Sequence, residues 1–363
     1  MQDVIIVGSG LIGLLTAREL VSAGVRVSIL ERAELAGESS WAGGGILSPL
    51  YPWRYPEQVN LFAAWSQQRY PQICEELLAS TGIDPQYSQN GLLMLDTGDA
   101  TKAWQWADRF AANLQLVDEQ HIQSLEPGLR QPPESGFWLP DVAQIRNPRI
   151  VQSLIRYLQQ QGVQFRPNCP VTDFIQDKSC VQGVVCENER LFADRVVVAS
   201  GAWSSRLLAS SGFCVPEIEP VRGQMLLFKG APGLVKRIIL SDGHYVIPRR
   251  DGHILVGSTM EYVGFDKVTT TDALEELQHV AIDLFPQIKS LKIVQHWSGL
   301  RPGSLEGIPF VGAIPDVTGL FINAGHFRNG VVMGPATAHL LADILLERSQ
   351  NILSTYSLSK FIN

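Results

Sequence analysis

Cysteine is scarce in this chain. Five residues (Cys74, Cys169, Cys180, Cys186 and Cys214) are scattered through 363 positions, odd in number and with no Cys-x-x-Cys pair. That pattern argues against a disulfide framework or a zinc ribbon, and predicts buried free thiols in a reducing cytosol. The seven histidines show no His-x-x-x-His spacing, so no metal site is expected. No apolar run reaches the length of a membrane span, and the apolar N-terminus reads as a sheet strand rather than a signal peptide, which makes the cytoplasm the expected location. Basic residues are outnumbered, 29 against 36 acidic, for a net charge of −7. Nucleic acid and acidic membranes are therefore poor candidates as main partners, whereas small anionic substrates stay open because local arginines govern them. No internal repeat, low-complexity tract or long linker is present. With 45% hydrophobic and 18% charged residues, the chain has the composition of a globular protein of one large or two modest domains.

What is present begins at once. Val4-Ile5-Ile6-Val7 is an apolar, β-branched run of the kind found in a strand buried on both faces. Gly8-Ser9-Gly10-Leu11-Ile12-Gly13 follows directly. Leu14, Leu15, Ala17, Leu20 and Val21 then carry a helical apolar pattern that stops at Gly24, a residue suited to a left-handed C-terminal position. A second strand over 25–30 leads into Glu31. The spacing has a mechanical meaning. Gly8 permits the tight turn, Gly10 lets backbone approach a pyrophosphate, and Gly13 lets the helix pack close on the sheet. The diphosphate would then meet free N–H groups at the positive end of the helix dipole, and Glu31 would bind ribose hydroxyls.

Residues 37–50 form a loop of small side chains in which Gly43 to Gly45 suggest backbone pressed against a ligand. A long helix is predicted over 57–82, a strand over 91–95, helices over 101–114 and 118–125, and a strand over 136–139. A helix over 147–161 precedes strands over 163–171, 180–187, 190–192 and 195–200. The last ends in Gly201-Ala202-Trp203 and returns the chain to the nucleotide sheet. Strands dominate from 217 to 301, interrupted by a helix over 272–284. A final strand over 319–324, a turn from Gly325 to Gly330 and a helix over 331–347 close the sequence. Arg301, held between Gly299-Leu300 and Pro302-Gly303, is either a carboxylate anchor or one half of a structural ion pair.

A chain that leaves its nucleotide sheet and returns twice suits a long, extended cofactor. VIIVGSGLIG with Glu31, SSWAGGGIL, VVVASGAWS, HYVIPRRDGHILVGSTM, HWSGLRPGSLEGIPFVG and NAGHFRNGVVMGPATAHLLADIL together resemble the D-amino-acid oxidase superfamily of FAD-dependent amine oxidoreductases, nearly end to end. The resemblance implies an α/β fold. Its Rossmann-like FAD-binding domain, of glutathione-reductase type, would comprise residues 1–84, 146–218 and 302–363. An inserted α+β substrate domain on a mainly antiparallel sheet would comprise 85–145 and 219–301. It also implies that FAD lies over Leu11 and Ile12, with its ribose at Glu31 and Arg32. The pyrophosphate and flavin edge would follow Ser39, Ser40, Gly44, Gly45 and Ile46, the adenine would meet Val171, and Gly201 would sit nearby. His326, Phe327, Arg328, Asn329, Gly330, Val331 and Val332 would surround the ribityl chain and pyrimidine. Arg301 and Tyr245 would hold a substrate carboxylate, with Arg328 close to the substrate and Met260 narrowing the pocket.

The implied activity is oxidation of glycine, sarcosine and small D-amino acids by hydride transfer to the flavin N5. Molecular oxygen would then be reduced to hydrogen peroxide, and the imine would serve thiamine thiazole synthesis. No cysteine follows Cys214, so the cofactor is expected to be noncovalent. The family pattern has a histidine two residues before the tyrosine; Gly243 stands there, and His244 adjoins Tyr245. A homotetramer is implied by resemblance alone. A dehydrogenase passing electrons to a quinone or carrier, a sarcosine-type secondary amine oxidase and a flavin-free binding module remain as alternatives.

Overall fold

Asp3–Val7 lies in the middle of a six-stranded sheet ordered Phe310–Ala313, Leu320–Ala324, Arg195–Val198, Asp3–Val7, Arg26–Leu30, Gln164–Arg166. Every pairing is parallel except that of Phe310–Ala313 with Leu320–Ala324. The computed structural model describes residues 3–187, 189–213 and 217–348. Strand alternation explains why the first strand is apolar throughout. Val4 and Ile6 enter a core shared with the helices, while Ile5 and Val7 enter a second core with Phe174, Val181 and Val184 of a three-stranded antiparallel sheet.

The helix Leu11–Ser22 covers the first face with Leu14, Leu15, Ala17 and Leu20 and packs on the closing helix Gly330–Leu345. Gly334 permits that approach, since a β-carbon there would stand 2.8 Å from Leu15 Cδ1. Pro335 interrupts the closing helix's hydrogen bonds, because it has no N–H for the Val331 carbonyl. The hydroxyl of buried Tyr70 takes that carbonyl instead, and Ser66 Oγ accepts the Ala336 N–H at 3.0 Å. Phe62 fills the same core, where truncation to alanine would cost about 3–5 kcal/mol.

An eight-stranded sheet stands opposite, ordered Lys292–Gly303, Glu219–Lys229, His253–Gly257, His244–Pro248, Ile238–Ser241, Leu92–Met94, Ser135–Leu139, Gln115–Asp118. All its pairings are antiparallel except Ile238–Ser241 with Leu92–Met94. Along His244–Pro248, Tyr245 and Ile247 turn to one face, while Val246 turns to the other, which the helix Thr271–Leu284 covers.

Several expectations require correction. The predicted helix over 57–82 is two helices, Glu57–Gln67 and Tyr70–Thr81, because Pro71 supplies no N–H and is tolerated only in a first turn. The strand expected over 163–171 splits into Gln164–Arg166 and the start of Val171–Asp177, with Pro167 and Pro170 in the gap. A four-residue helix, Ser39–Ala42, occupies the small-residue loop. Cys169 and Cys186 are not free thiols. The antiparallel pairing of Val171–Asp177 with Cys180–Cys186 brings their Cα atoms to 5.8 Å, and they form a disulfide. Cys74 and Cys180 are free, and Cys214 lies outside the described residues. No helix among the described residues is long and apolar enough to cross a membrane.

Candidate active site

A cavity of about 600 Å³ runs between the two large sheets. Its nucleotide side is formed where the parallel strands end, at Gly8, Glu31, Ala199 and Ala324. This is the crevice at which open α/β sheets hold ligands. Gly8 has φ +112°, and a β-carbon there would lie 2.5 Å from the Ala199 carbonyl oxygen. Gly13 stands behind the turn, where a β-carbon would be 2.1 Å from the Gly8 oxygen. The helix begins at Gly10 without a capping side chain of its own, and Ser40 Oγ accepts the Leu11 N–H at 2.8 Å. The remaining first-turn N–H groups leave a positive end suited to a diphosphate.

Glu31 is tied to the turn it follows. Its Oε2 accepts both the backbone N–H and the hydroxyl of Ser9 at 2.9 Å, and Oε1 accepts the Ala33 N–H at 3.3 Å. Arg32 pairs with Glu38 at 2.6 Å and lies 3.6 Å above the Trp203 ring. Val171, Gly201 and Trp203 complete this end of the cavity.

The glycine loop forms the junction between the sheets. Gly45 has φ +78°, and a β-carbon there would lie 2.1 Å from the Ile145 oxygen. At Gly44 it would meet Ile247 Cδ1 at 2.9 Å and the Tyr245 ring at 3.2 Å. Ser39, Ser40, Gly44, Gly45 and Ile46 all line the cavity. A helix start with N–H groups left over beyond the one Ser40 takes, a glycine cradle and a carboxylate at the tip of the second strand fit an extended dinucleotide. No cluster of His, Cys, Asp or Glu able to hold a metal exists among the described residues.

Arg301 stands in the wall contributed by the second sheet. Its Nη2 donates to Ser258 Oγ at 2.6 Å, and its Nη1 to the Thr259 and Arg222 carbonyls at 3.1 and 3.4 Å. Among the described residues no carboxylate pairs with it, so the structural ion pair weighed as an alternative is not what holds it. Burial draws its guanidinium below the ordinary value, Tyr245 acts to raise it and the Arg328 charge lowers it further. Tyr245 donates its hydroxyl to Met225 Sδ at 3.2 Å, a weak acceptor that a carboxylate oxygen would outcompete. Arg328 also lines the cavity and forms no ion pair among the described residues.

His326 is buried, with Nε2 2.9 Å from Thr337 Oγ1. The Thr337 hydroxyl donates to the Gly334 carbonyl, so it accepts from His326, and burial pushes the imidazole down to about 3. The side chain is therefore neutral. Phe327, Gly330 and Val331 line the cavity beside it.

Four expected site residues lie off the cavity wall. Gly13 supports the turn from behind, Asn329 is buried, and Val332 belongs to the helical core. Met260 is 50% exposed: Ser258 and Thr259 are turned toward Arg301, and the chain then leads outward to Glu261, which pairs with Arg222. His244 bonds to Glu276 at 2.9 Å, on the face opposite Tyr245. Gly223, Met225, Ser258, Gly299 and Trp203 line the cavity without having been anticipated. Gly223 and Gly299 did carry a signal, since isolated glycines within strands mark close approach of another group.

These features fit a protein that binds an extended dinucleotide in a cavity which also holds an arginine with neutral partners. The sequence matches the FAD dependent oxidoreductase family over residues 3–344. It is 47% identical over 345 residues to a glycine oxidase of Pseudomonas putida, covering 95% of this chain and 94% of that one. It is 30% identical over 367 residues to a bifunctional protein ThiO/ThiG of Trichormus variabilis, covering 99% of this chain and 55% of the relative. A crystal structure of glycine oxidase from Geobacillus kaustophilus superposes with a TM-score of 0.91 at 27% identity, over 99% of this chain and 98% of that one. The chain belongs to the FAD-dependent oxidoreductases of the D-amino-acid oxidase type, within the glycine oxidase group. It is an FAD-dependent amino-acid oxidase.

Proposed function

We propose that the protein oxidises glycine, and with it sarcosine and small D-amino acids, releasing an imine and hydrogen peroxide. The observation that carries this reading is Arg301, a guanidinium without a carboxylate partner in the same cavity as the glycine loop. Its Nη1 is committed to two carbonyls. The second Nη2 hydrogen and the Nε–H, which donates to no group among the described residues, can offer a side-on fork to a substrate carboxylate, and the Tyr245 hydroxyl can leave Met225 to add a further bond. The residues lining the cavity would hold FAD, which would supply a hydride acceptor and a route for electrons to molecular oxygen. The chain's own contribution is orientation, holding the Cα–H in line.

No base is needed if the substrate amine enters neutral. Arg301 and Arg328 favour that form, because nearby positive charge disfavours an ammonium. Among the described residues no carboxylate lines this end of the cavity: Glu31 and Glu38 stand at the nucleotide end, bonded to Ser9 and Arg32. FAD is held noncovalently on this reading. The single pairing of Cys169, which lines the cavity, with Cys186 supports that, since it leaves no thiolate there to link.

The relatives named ThiO/ThiG support a role in supplying the imine to thiazole synthesis. The same reading places the protein in the cytoplasm. The two separate sheets support dividing the chain into a cofactor domain (1–84, 146–218, 302–363) and a substrate domain (85–145, 219–301). A homotetramer is part of the same reading, and its mass in solution tests it. Anaerobic mixing of the yellow protein with glycine, sarcosine and D-alanine tests the chemistry. The flavin band should bleach, fastest with glycine, and air should restore it with one peroxide per turnover. Bleaching that only a dye or quinone reverses would make it a dehydrogenase, and no bleaching would sink the reading.

A further inference from the structure

Four carbonyl groups of the glycine loop are held by donors that do not line the cavity. Asn147 Nδ2 donates to the Ser40 oxygen at 2.9 Å, and Trp297 Nε1 to the Ala42 oxygen at 3.1 Å. Arg249 Nη2 donates to the Gly44 oxygen at 2.8 Å, and the Ile145 N–H to the Gly45 oxygen at 2.9 Å. In a planar trans peptide the C=O and the following N–H point in opposite directions. With the Gly44 oxygen held by Arg249, the Gly45 N–H must face the other way, toward the cavity that Gly44, Gly45 and Ile46 line. The Ile46 N–H is turned away from Ile145 by the same rule. Neither N–H donates to any group among the described residues.

We propose that Arg249 is a positioning residue for the oxidation: by fixing the Gly44–Gly45 peptide, it aims the Gly45 and Ile46 N–H groups at the redox ring of FAD. The inference rests on the FAD reading of the cavity. Arg249 itself does not line that cavity; it stands behind the loop at the end of the strand His244–Pro248. Its other nitrogen, Nη1, donates to Gln144 Oε1 at 2.6 Å and to the Ile145 carbonyl at 2.9 Å. The guanidinium thus clamps both strands of the Ile46–Gln144 bridge. No carboxylate is paired with it among the described residues, and its acceptors are all neutral oxygens. Burial lowers it to about 10, and the Arg146 charge adds to that, which leaves it protonated at neutral pH. Gly44 has no room for a side chain and Gly45 needs its positive φ, so the peptide has little freedom except rotation of its carbonyl, which Arg249 removes. Preorganised N–H donors stabilise negative charge that grows on a ring receiving a hydride, and do so without reorganising at that moment.

Arg249→Met and Arg249→Lys are to be compared with the wild type by FAD titration of the apoprotein, flavin midpoint potential and steady-state kinetics. Methionine should weaken FAD binding about tenfold or more, and the reduced form should lose more affinity than the oxidised one. A tenfold difference between them lowers a two-electron potential by about 30 mV. kcat should fall with little change in KM for glycine. Lysine reaches one acceptor in place of three and should fall between. If the methionine variant does not fold, the lysine variant must still show the lowered potential. Either variant with wild-type potential and FAD affinity overturns the proposal, even if its melting temperature drops, because that would mark Arg249 as structural only. A wild-type chain that takes up no FAD would sink the cofactor reading and this inference with it.

Discussion

The Arg301 guanidinium rests directly on Gly223: a β-carbon at that glycine would stand 2.2 Å from both Nη1 and Nη2. The two residues sit on paired strands, where Val221 is in register with Arg301 and Gly223 with Gly299. The space that lets the side chain fold back along its neighbour is therefore written into the absence of a methyl group.

Gly223→Ala should push Arg301 off Ser258 and Thr259. A charge-assisted hydrogen bond contributes about 1.5–3 kcal/mol, so KM for glycine should rise roughly ten- to hundredfold. FAD content should match the wild type, because Gly223 touches only the substrate end. Steady-state kinetics with a spectrum of the purified variant reads both, and an unchanged KM would refute the contact.

Arg328→Gln removes one of two positive charges near the substrate amine. The acid limb of kcat/KM, which follows the neutral amine, should move to higher pH. The direction follows because loss of a cation makes the ammonium easier to form. A limb that stays where it was, or moves down, would show that Arg328 does not act on the amine.

His326 should make the protein acid-labile. Burial pushes the folded imidazole down to about 3, against about 6.5 in an unfolded chain. Between those values the unfolded state binds a proton that the folded state refuses. Stability is therefore full above pH about 6.5 and falls as pH drops toward 3, by up to about 1.4 kcal/mol per unit. His339 works oppositely, since its hydrogen bond to Glu19 raises it and favours folding below its unfolded value. Urea midpoints at pH 5, 6 and 7 should fall less steeply for His326→Gln than for the wild type. Parallel curves would rule the effect out.

Glu31→Gln tests the nucleotide end. The amide oxygen can still accept both Ser9 bonds but without the charge, and the amide nitrogen cannot accept the Ala33 N–H. FAD affinity should fall about tenfold, in keeping with the loss of a charge-assisted bond, while KM for glycine stays near that of the wild type. Fluorescence titration of the apoprotein measures the first, and an unaltered affinity would remove Glu31 from the cofactor site.

Much of this architecture was legible in the chain because it depends on local pattern. The β-branched run before Gly8, the glycine spacing and the acid after the second strand specify a strand, a turn and a helix wherever they occur. Two helix starts rest on local chemistry of the same kind, although the caps show only in the structure: Asp118 caps Glu119–Leu125 and Thr270 caps Thr271–Leu284 through their own side chains. Misreadings came where a proline broke a good pattern, at Pro71 and between Pro167 and Pro170, or where distant strands had to meet. Cys169 and Cys186 looked unrelated until antiparallel pairing set them side by side.

What the sequence by itself determined is the nucleotide half, because backbone geometry at glycines acts locally, while the class of chemistry came through the resemblance of its motifs to a known family. Only the tertiary structure decided that Arg301 has neutral partners, that Gly223 makes room for it, and that Arg249 reaches Gly44 across 205 positions. Those relationships depend on which strands lie next to each other, and strand neighbours are chosen by burial over the whole chain rather than by any stretch of it.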